Sequence, residues 1–197
     1  TRLGSIDLFD GPTTANFKSK RIIYNLKNLD KYVKEPGMLV LFHKLWDMKI
    51  RNPLQEEAIV TDEAHVLFRS DTVGEHAYDI NKRLRKYGGM AVWVSQNVTD
   101  FNKTKFGPEI IKNCAWSILM KQNKADIEVL QDIYQMTKSE AIRMTRFNPK
   151  KGEAYFIADG FRIPINVRVS TKELAAFTTR TADLKKMASM KAEMGNE

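Results

Sequence analysis

The sequence predicts an α/β protein in which helices flank a mostly parallel sheet and an antiparallel hairpin follows. Three observations predict this class. Short apolar runs of strand length alternate with longer stretches whose apolar residues recur every three or four positions. Such alternation is typical of proteins with helices on both faces of a parallel sheet. Near the end of the chain, two further runs flank Asp159-Gly160, a dipeptide that favours a tight turn between antiparallel strands.

The first quarter of the chain predicts two strands and a helix. Residues 6–9 predict a short strand that ends in the turn Asp10-Gly11-Pro12. Residues 21–26, Arg-Ile-Ile-Tyr-Asn-Leu, predict a second strand. From residue 36 to residue 48, five apolar residues recur at helical spacing. They are Leu39, Val40, Phe42, Leu45 and Trp46.

The middle of the chain predicts a strand–helix–strand unit. Pro53 interrupts the preceding helical pattern, and residues 58–61 form the first strand. A helix is expected over residues 74–86 and ends at Gly88-Gly89. Residues 90–94 form a continuous apolar run, as expected for a strand that is buried on both faces.

The remaining part predicts one more strand, several helices and the hairpin. A strand is expected at residues 115–120, and an amphipathic helix is expected around Leu130. The segment Thr137-Lys138-Ser139-Glu140 has the form of a capping box that opens another helix. The hairpin strands are predicted at residues 154–157 and 161–169, before a charged closing helix.

The composition is that of a globular, basic protein. The formal net charge is +8, which favours an anionic partner and leaves direct DNA contact possible, although scattered charges are equally typical of a solvated surface. Cys114 is the only cysteine, so no disulfide can form within the chain, and we expect a cytoplasmic, reducing setting. No apolar run is long enough to span a membrane.

Two adjacent carboxylates follow the strand predicted at residues 58–61. This run ends directly in Asp62-Glu63. Burying two acids without a cation costs free energy, and a bound Mg²⁺ offsets that cost. The pattern is that of a Walker B segment, in which one acid holds the Mg²⁺ of a nucleotide and the next activates water. The alternative is an exposed turn in which both acids meet only water.

Gln96 and Arg85 are the other candidate site residues. Gln96 follows the strand at residues 90–94, and ligands of open parallel sheets bind beyond the carboxyl ends of the strands. We therefore expect Gln96 to sense the γ-phosphate and to position water. Arg83 and Arg85 lie in a basic cluster, where one arginine could reach a nucleotide on a neighbouring subunit. The alternative for this cluster is a solvated helix end.

The partner motif of a Walker B segment is missing from the sequence. No G-x-x-x-x-G-K-[ST] phosphate loop, or Walker A motif, occurs in the 197 residues. The first residue is Thr1 rather than Met, so we expect the chain to be the later part of an ATPase core from a longer protein. On its own, this part is expected to bind nucleotide poorly and to be inactive.

The order of the motifs resembles the conjugation ATPases of type IV secretion systems, in particular the TraE-like (VirB-four) branch found on mobile elements. The motifs that carry the resemblance are Asp10-Gly11-Pro12, Ile59–His65, Leu84–Gly89, Ser95-Gln96-Asn97, Ile110–Asn113, Leu130, Tyr134, Gly152, Ile163–Ile165 and Ser170–Glu173. The similarity spans nearly the whole chain, and the order and spacing of the motifs are its stronger part.

The resemblance implies a RecA-like motor domain of the P-loop NTPase class, with ATP and Mg²⁺ as cofactors of the longer parent protein. Residues 1–178 would be the C-terminal part of that domain, and residues 179–197 a charged helix or tail. Asp62 would serve Mg²⁺, Glu63 the attacking water, Gln96 the sensing of phosphate, and Arg85 a neighbouring nucleotide. The motor would work as a homo-hexamer with other subunits of the secretion complex. It would lie at the inner face of the cell membrane through those partners, and move DNA or protein or assemble a pilus.

Two other interpretations stay open at this point. A RecA-like domain without hydrolysis could serve only to bind partners, which would suit the missing phosphate loop, although the acid pair and Gln96 favour hydrolysis. The letters Asp62-Glu63-Ala64-His65 also match a superfamily-two helicase box. That class requires a Ser-Ala-Thr-type motif after the next strand, where this chain has Ser95-Gln96-Asn97.

Overall fold

The computed structural model describes residues 19–26, 28–178, 181, 183 and 184, and these residues divide into two compact units. The first unit runs to Cys114 and includes residues 128–136, and the second comprises residues 115–127 and those from Thr137 onward. The predicted strand at residues 6–9 and its turn lie outside the described residues, as does the closing helix beyond Leu184.

The first unit is built on a parallel pair of strands. Its helices and strands are α1 (Lys31–Arg51), β1 (Glu57–Thr61), α2 (Ala64–Leu67), α3 (Asp71–Leu84), β2 (Gly89–Trp93), α4 (Val98–Asn102), α5 (Gly107–Asn113) and all but the first residue of α6 (Ile127–Tyr134). Strands β1 and β2 pair in parallel, with Glu57 opposite Gly89 and Thr61 opposite Trp93. The predicted strand–helix–strand unit in the middle of the chain is confirmed.

One face of this pair of strands carries the core of the first unit. Ile59 and Trp93 pack against a buried apolar cluster that draws on all five helices α1 to α5. On the opposite face, the Val60 side chain is 64% exposed and Met90 is 46% exposed. The prediction that residues 90–94 are buried on both faces is therefore wrong for the described residues, because helices cover only one face.

Polar contacts fix both ends of helix α1. At its start, the Asp30 carboxylate accepts a hydrogen bond of 2.9 Å from the backbone N–H of Tyr32. At its end, the fully buried Lys49 ammonium donates to the carbonyl oxygens of Asn52 and Gln55. A cation is favoured at a helix C-terminus, so Lys49 ties the segment before β1 to this helix.

Residues 21–26 do not form the predicted strand. They belong to neither of the two sheets in the described part of the chain. Their side chains alternate between exposed and half-buried, which is the period of a strand. A strand also requires a second strand beside it, and local composition does not supply that information.

The second unit contains a three-stranded antiparallel sheet. Its helices and strands are β3 (Trp116–Leu119), α7 (Lys138–Thr145), β4 (Glu153–Ala158), β5 (Phe161–Asn166) and α8 (Thr171–Phe177), and the strand order is β3-β4-β5. The predicted hairpin is confirmed, since Asp159 and Gly160 both have positive φ, 47° and 79°, as a tight hairpin turn requires. Strand β3 pairs antiparallel with β4 and does not extend the parallel pair. With its parallel pair, its hairpin and its helices, the chain has the predicted α/β class.

The predicted capping box opens helix α7. The Thr137 hydroxyl accepts a hydrogen bond from the Glu140 N–H at 3.3 Å, and the Glu140 carboxylate accepts one from the Thr137 N–H at 2.8 Å. Arg162 on β5 also donates to this carboxylate, at 3.0 Å. The hydrogen bonds from Thr137 and then the bond from Arg162 hold the pKa of Glu140 below its ordinary value.

Candidate nucleotide site

The candidate site lies where strands β1 and β2 end. The parallel ladder continues past the strands, because the Val94 N–H donates to the Thr61 carbonyl at 2.9 Å and the Ala64 N–H donates to the Val94 carbonyl at 2.8 Å. Thr61 is opposite Trp93, so the residues two positions further on, Glu63 and Ser95, leave the sheet at its carboxyl edge. Ligands of open parallel sheets bind at this edge.

The structure brings Glu63 and Gln96 together. Glu63 precedes helix α2 and has left-handed backbone angles, φ 51° and ψ 43°. This conformation costs a residue other than glycine about 1–3 kcal/mol, so the surrounding contacts must hold it. The Gln96 side-chain amide donates a hydrogen bond to Oε1 of Glu63. Glu63 and Gln96 were predicted at the ends of two different strands, and their side chains are in contact. Both are accessible to solvent.

His65 and Ser95 belong to the same group of side chains, although neither residue was predicted from the sequence to have a role. Nδ1 of His65 lies 3.4 Å from Oε2 of Glu63 and 3.2 Å from the hydroxyl of Ser95. The His65 side chain is 13% exposed, against 40% for Glu63. Both residues stood inside the motifs that carried the family resemblance, but their contact depends on strand register, which the sequence alone did not provide.

Asp62 presents an exposed carboxylate beside Glu63, directly after strand β1. Its side chain is exposed, and its Oδ1 atom accepts a hydrogen bond of 2.9 Å from the Glu63 N–H. Within the described ranges no lysine or arginine pairs with this carboxylate, and no cluster of three or more His, Cys, Asp or Glu side chains could hold a metal by itself. One carboxylate nevertheless fits Mg²⁺, because this ion keeps several waters and takes its other ligands from nucleotide phosphates.

Arg85 lies at the opposite edge of the sheet. It begins the 3₁₀ turn Arg85–Tyr87 that leads into the amino end of β2, whereas Gln96 follows the carboxyl end. The rise of about 3.3 Å per residue along a strand separates the two ends by roughly 20 Å, which exceeds the length of an arginine side chain. Arg85 therefore cannot reach the acid pair of its own chain.

Arg85 is nevertheless the more available arginine of its cluster. The guanidinium of the neighbouring Arg83 stacks over the Trp46 ring at 4.7 Å, and the Lys82 ammonium lies 4.2 Å from the centre of the Tyr78 ring. The Arg85 guanidinium is exposed and makes no ion pair or hydrogen bond to any residue that the structure describes. Of these cations, Arg85 is the one that is free to meet a second molecule.

A basic cavity adjoins the site. It measures about 410 Å³ and is lined by His65 and by the charged residues Arg69, Asp71, Asp100, Lys103 and Lys105. Lys105 faces Asp71 at 3.8 Å. Neither Arg69 nor Lys103 forms an ion pair with a described residue. The three lysine and arginine side chains outnumber the two carboxylates of Asp71 and Asp100, so the lining has a formal charge of +1.

The α/β fold, with two acids and an amide at the carboxyl edge of its parallel strands, defines the class of RecA-like P-loop nucleoside triphosphatases. The chain belongs to the family of TraG P-loop domains, which matches residues 16–197. The family resemblance seen in the sequence is thereby confirmed.

The chain is similar in sequence and in structure to VirB4 proteins. It is 24% identical over 190 residues to the type IV secretion system protein virB4 of Bartonella henselae, covering 91% of this chain and 23% of that protein. The virB4 protein of Bartonella quintana is 24% identical over 179 residues, which cover 86% of this chain and 22% of that protein. The solved structure of VirB4 from Thermoanaerobacter pseudethanolicus superimposes with a TM-score of 0.65 at 25% identity, covering 76% of this chain and 40% of that one. The chain thus spans less than a quarter of the curated relatives it matches.

Proposed function

We propose that this chain supplies the Mg²⁺-binding and water-activating half of the ATP site in a motor of a conjugative type IV secretion system. The observation that carries the proposal is the contact between Glu63 and Gln96 at the carboxyl edge of β1 and β2, with the exposed carboxylate of Asp62 beside it. The membership in the TraG P-loop family and the VirB4 relatives support the same function.

In this proposal each residue has a defined task. Bound Mg²⁺-ATP supplies the reactive γ-phosphate and neutralises the charge that develops on it. Asp62 holds the ion, either directly or through water. Glu63 accepts the proton of the attacking water, and a carboxylate can do so only within hydrogen-bond reach of that water. Gln96 fixes the Glu63 carboxylate and senses the γ-phosphate.

The phosphate loop would come from a part of the longer protein that precedes Thr1. We propose that Arg85 enters the site of a neighbouring subunit, because it lies too far from its own acid pair and makes no ion pair with a described residue. The family resemblance supports a homo-hexamer as the assembly of the parent protein. An arginine supplied across an interface stabilises the charge on the transferred phosphoryl group.

The family resemblance and the net charge support a proposal for where the motor acts and what it contacts. We propose that it acts in the cytoplasm at the inner face of the cell membrane, held there by other subunits of the secretion complex. No helix in the described part of the chain is long and apolar enough to cross a bilayer. The net charge of +8 and the basic cavity support contact with DNA in transit.

Asp62→Asn tests the proposal in a longer version of the protein that includes the upstream phosphate loop. We expect Mg²⁺-dependent ATP hydrolysis to fall at least about 100-fold, because a neutral amide holds the ion weakly where transition-state charge must be offset. Asp47→Asn is the matched control, since Asp47 pairs with Arg51 on α1, away from the strand ends, and this variant should keep full activity.

Unchanged hydrolysis in the Asp62→Asn variant would remove Asp62 from the site. A longer version that binds and hydrolyses no ATP would instead favour a RecA-like module that only binds partners.

A further inference from the structure

We propose that His65 is a positioning residue that holds the Glu63 carboxylate in the orientation needed to activate water. This inference rests on the proposed function and adds a residue to it. Nδ1 of His65 lies 3.4 Å from Oε2 of Glu63, and the imidazole is largely buried whereas the carboxylate is 40% exposed. The ring therefore provides a fixed point for a side chain that solvent would otherwise leave mobile.

The contacts of Glu63 and Ser95 favour a proton on Nδ1 of His65. The Gln96 amide already donates to Oε1 of Glu63, which leaves Oε2 as the acceptor that faces His65. A proton on Nδ1 gives this oxygen a donor. The Ser95 hydroxyl then donates to the Asn97 carbonyl oxygen at 3.4 Å, and its own oxygen faces the Nδ1–H at 3.2 Å.

The other neutral tautomer is disfavoured at this position. If Nε2 carried the proton, the lone pair of Nδ1 would face the carboxylate of Glu63, and two acceptors would meet without a hydrogen between them. The structure therefore assigns the Nδ1–H tautomer to His65, with the proton shared between the Ser95 oxygen at 3.2 Å and Oε2 of Glu63 at 3.4 Å.

The backbone explains why His65 can act as a rigid support. Two hydrogen bonds hold the ends of both strands together. The Val94 N–H donates to the Thr61 carbonyl at 2.9 Å, and the Ala64 N–H donates to the Val94 carbonyl at 2.8 Å. Ala64 is fully buried, and His65 follows it in the first turn of α2. The imidazole thus bridges two fixed strand ends, and it orients Glu63 from one side while Gln96 does so from the other.

Two substitutions separate positioning from packing. His65→Asn keeps an N–H donor near the place of Nδ1, whereas His65→Leu keeps bulk and removes the donor. In the longer protein we expect His65→Leu to lower kcat about 10- to 100-fold with KM for ATP changed less than about twofold, because a misplaced base slows chemistry without weakening binding. His65→Asn should recover most of the lost rate.

A control variant and two contrary results complete the kinetic test. His43→Leu, on helix α1 and away from the strand ends, should leave kcat unchanged. Wild-type kcat in His65→Leu would overturn the proposal. Equal losses in His65→Leu and His65→Asn would also overturn it, since packing alone would then explain both.

A measurement of the tautomer does not depend on activity. The chain has three histidines, so ¹⁵N NMR of the 197-residue chain can resolve them, and the His65→Asn spectrum identifies the signal of His65. We expect Nδ1–H in the wild type and loss of this preference in Glu63→Ala. An Nε2–H tautomer in the wild type would overturn the proposal. If the longer protein hydrolyses no ATP, the proposed function fails, while the NMR result still decides whether His65 holds Glu63.

Discussion

Gly152 and Gly160 offer a matched pair of substitutions in the second unit. Both have left-handed backbone angles, φ 65° and φ 79°, and they lie at the two ends of strand β4. Their surroundings differ. A Cβ on Gly160 would meet nothing within 4 Å, whereas a Cβ on Gly152 would overlap the carbonyl oxygen of Val167 and lie 3.0 Å from its carbonyl carbon.

The structure gives different magnitudes for the two alanine variants. A left-handed backbone destabilises the folded state of an alanine variant by about 1–2 kcal/mol. Alanine also lowers the conformational entropy of the unfolded chain, which offsets about 0.4–1 kcal/mol of this loss. Gly160→Ala should therefore lower the stability of the hairpin by about 1 kcal/mol. Gly152→Ala also displaces Val167, whose N–H donates to the Gly152 carbonyl at 2.8 Å. The lost hydrogen bond and the steric overlap raise the expected loss of stability in Gly152→Ala to about 3–5 kcal/mol.

Hydrogen exchange read by mass spectrometry measures both effects on the chain itself. The protection of the β4 and β5 amides reports the free energy of opening the hairpin. Peptides from the first unit show in the same experiment whether each variant has folded. Equal loss of protection in the two variants would refute the reasoning, because it would mean that only the backbone angle matters and that Val167 does not crowd Gly152.

Three further predictions concern the site and the second unit. Glu63→Gln in the longer protein should keep nucleotide affinity and lower kcat about 10²–10⁴-fold, because the general base is lost; undiminished turnover would exclude Glu63 from that role. Arg85→Ala should lower kcat about 10³-fold, and mixing it with Glu63→Gln subunits should restore part of the rate, whereas Arg83→Ala should be nearly silent. Glu140→Gln should lower the free energy of unfolding by about 1–2 kcal/mol at pH 7, because it weakens the hydrogen bonds between this side chain and Thr137. Because the pKa of Glu140 is lowered in the folded state, this cost should fade as the pH drops below about 4.3, which thermal unfolding at pH 7 and pH 3 would measure.

Local sequence signals predicted much of the fold. Asp159-Gly160 specified the hairpin because few other dipeptides accept positive φ at both positions. Thr137 and Glu140 specified a helix start because their side chains satisfy each other's backbone N–H groups. The direction of pairing could not be obtained in this way. Strand β3 has the composition of a buried parallel strand, but its antiparallel pairing with β4 is set by residues more than thirty positions away.

The candidate site, too, could be predicted only in part from the sequence. Asp62, Glu63 and Gln96 could be proposed from the sequence because an adjacent acid pair and an amide follow two apolar runs, and the carboxyl ends of parallel strands meet at one edge of a sheet. The contact of His65 with Glu63 and Ser95 could not, since it depends on Thr61 lying opposite Trp93 and on the left-handed turn at Glu63. No local motif encodes either feature.

The most direct test of the account is Mg²⁺-dependent ATP hydrolysis by this chain beside a version extended upstream by about 200 residues, on the order of one further domain. We expect turnover only in the longer version, and we expect Asp62→Asn to abolish it. Turnover by the chain alone, or none in the longer version, would contradict the claim that this chain supplies half of an ATP site.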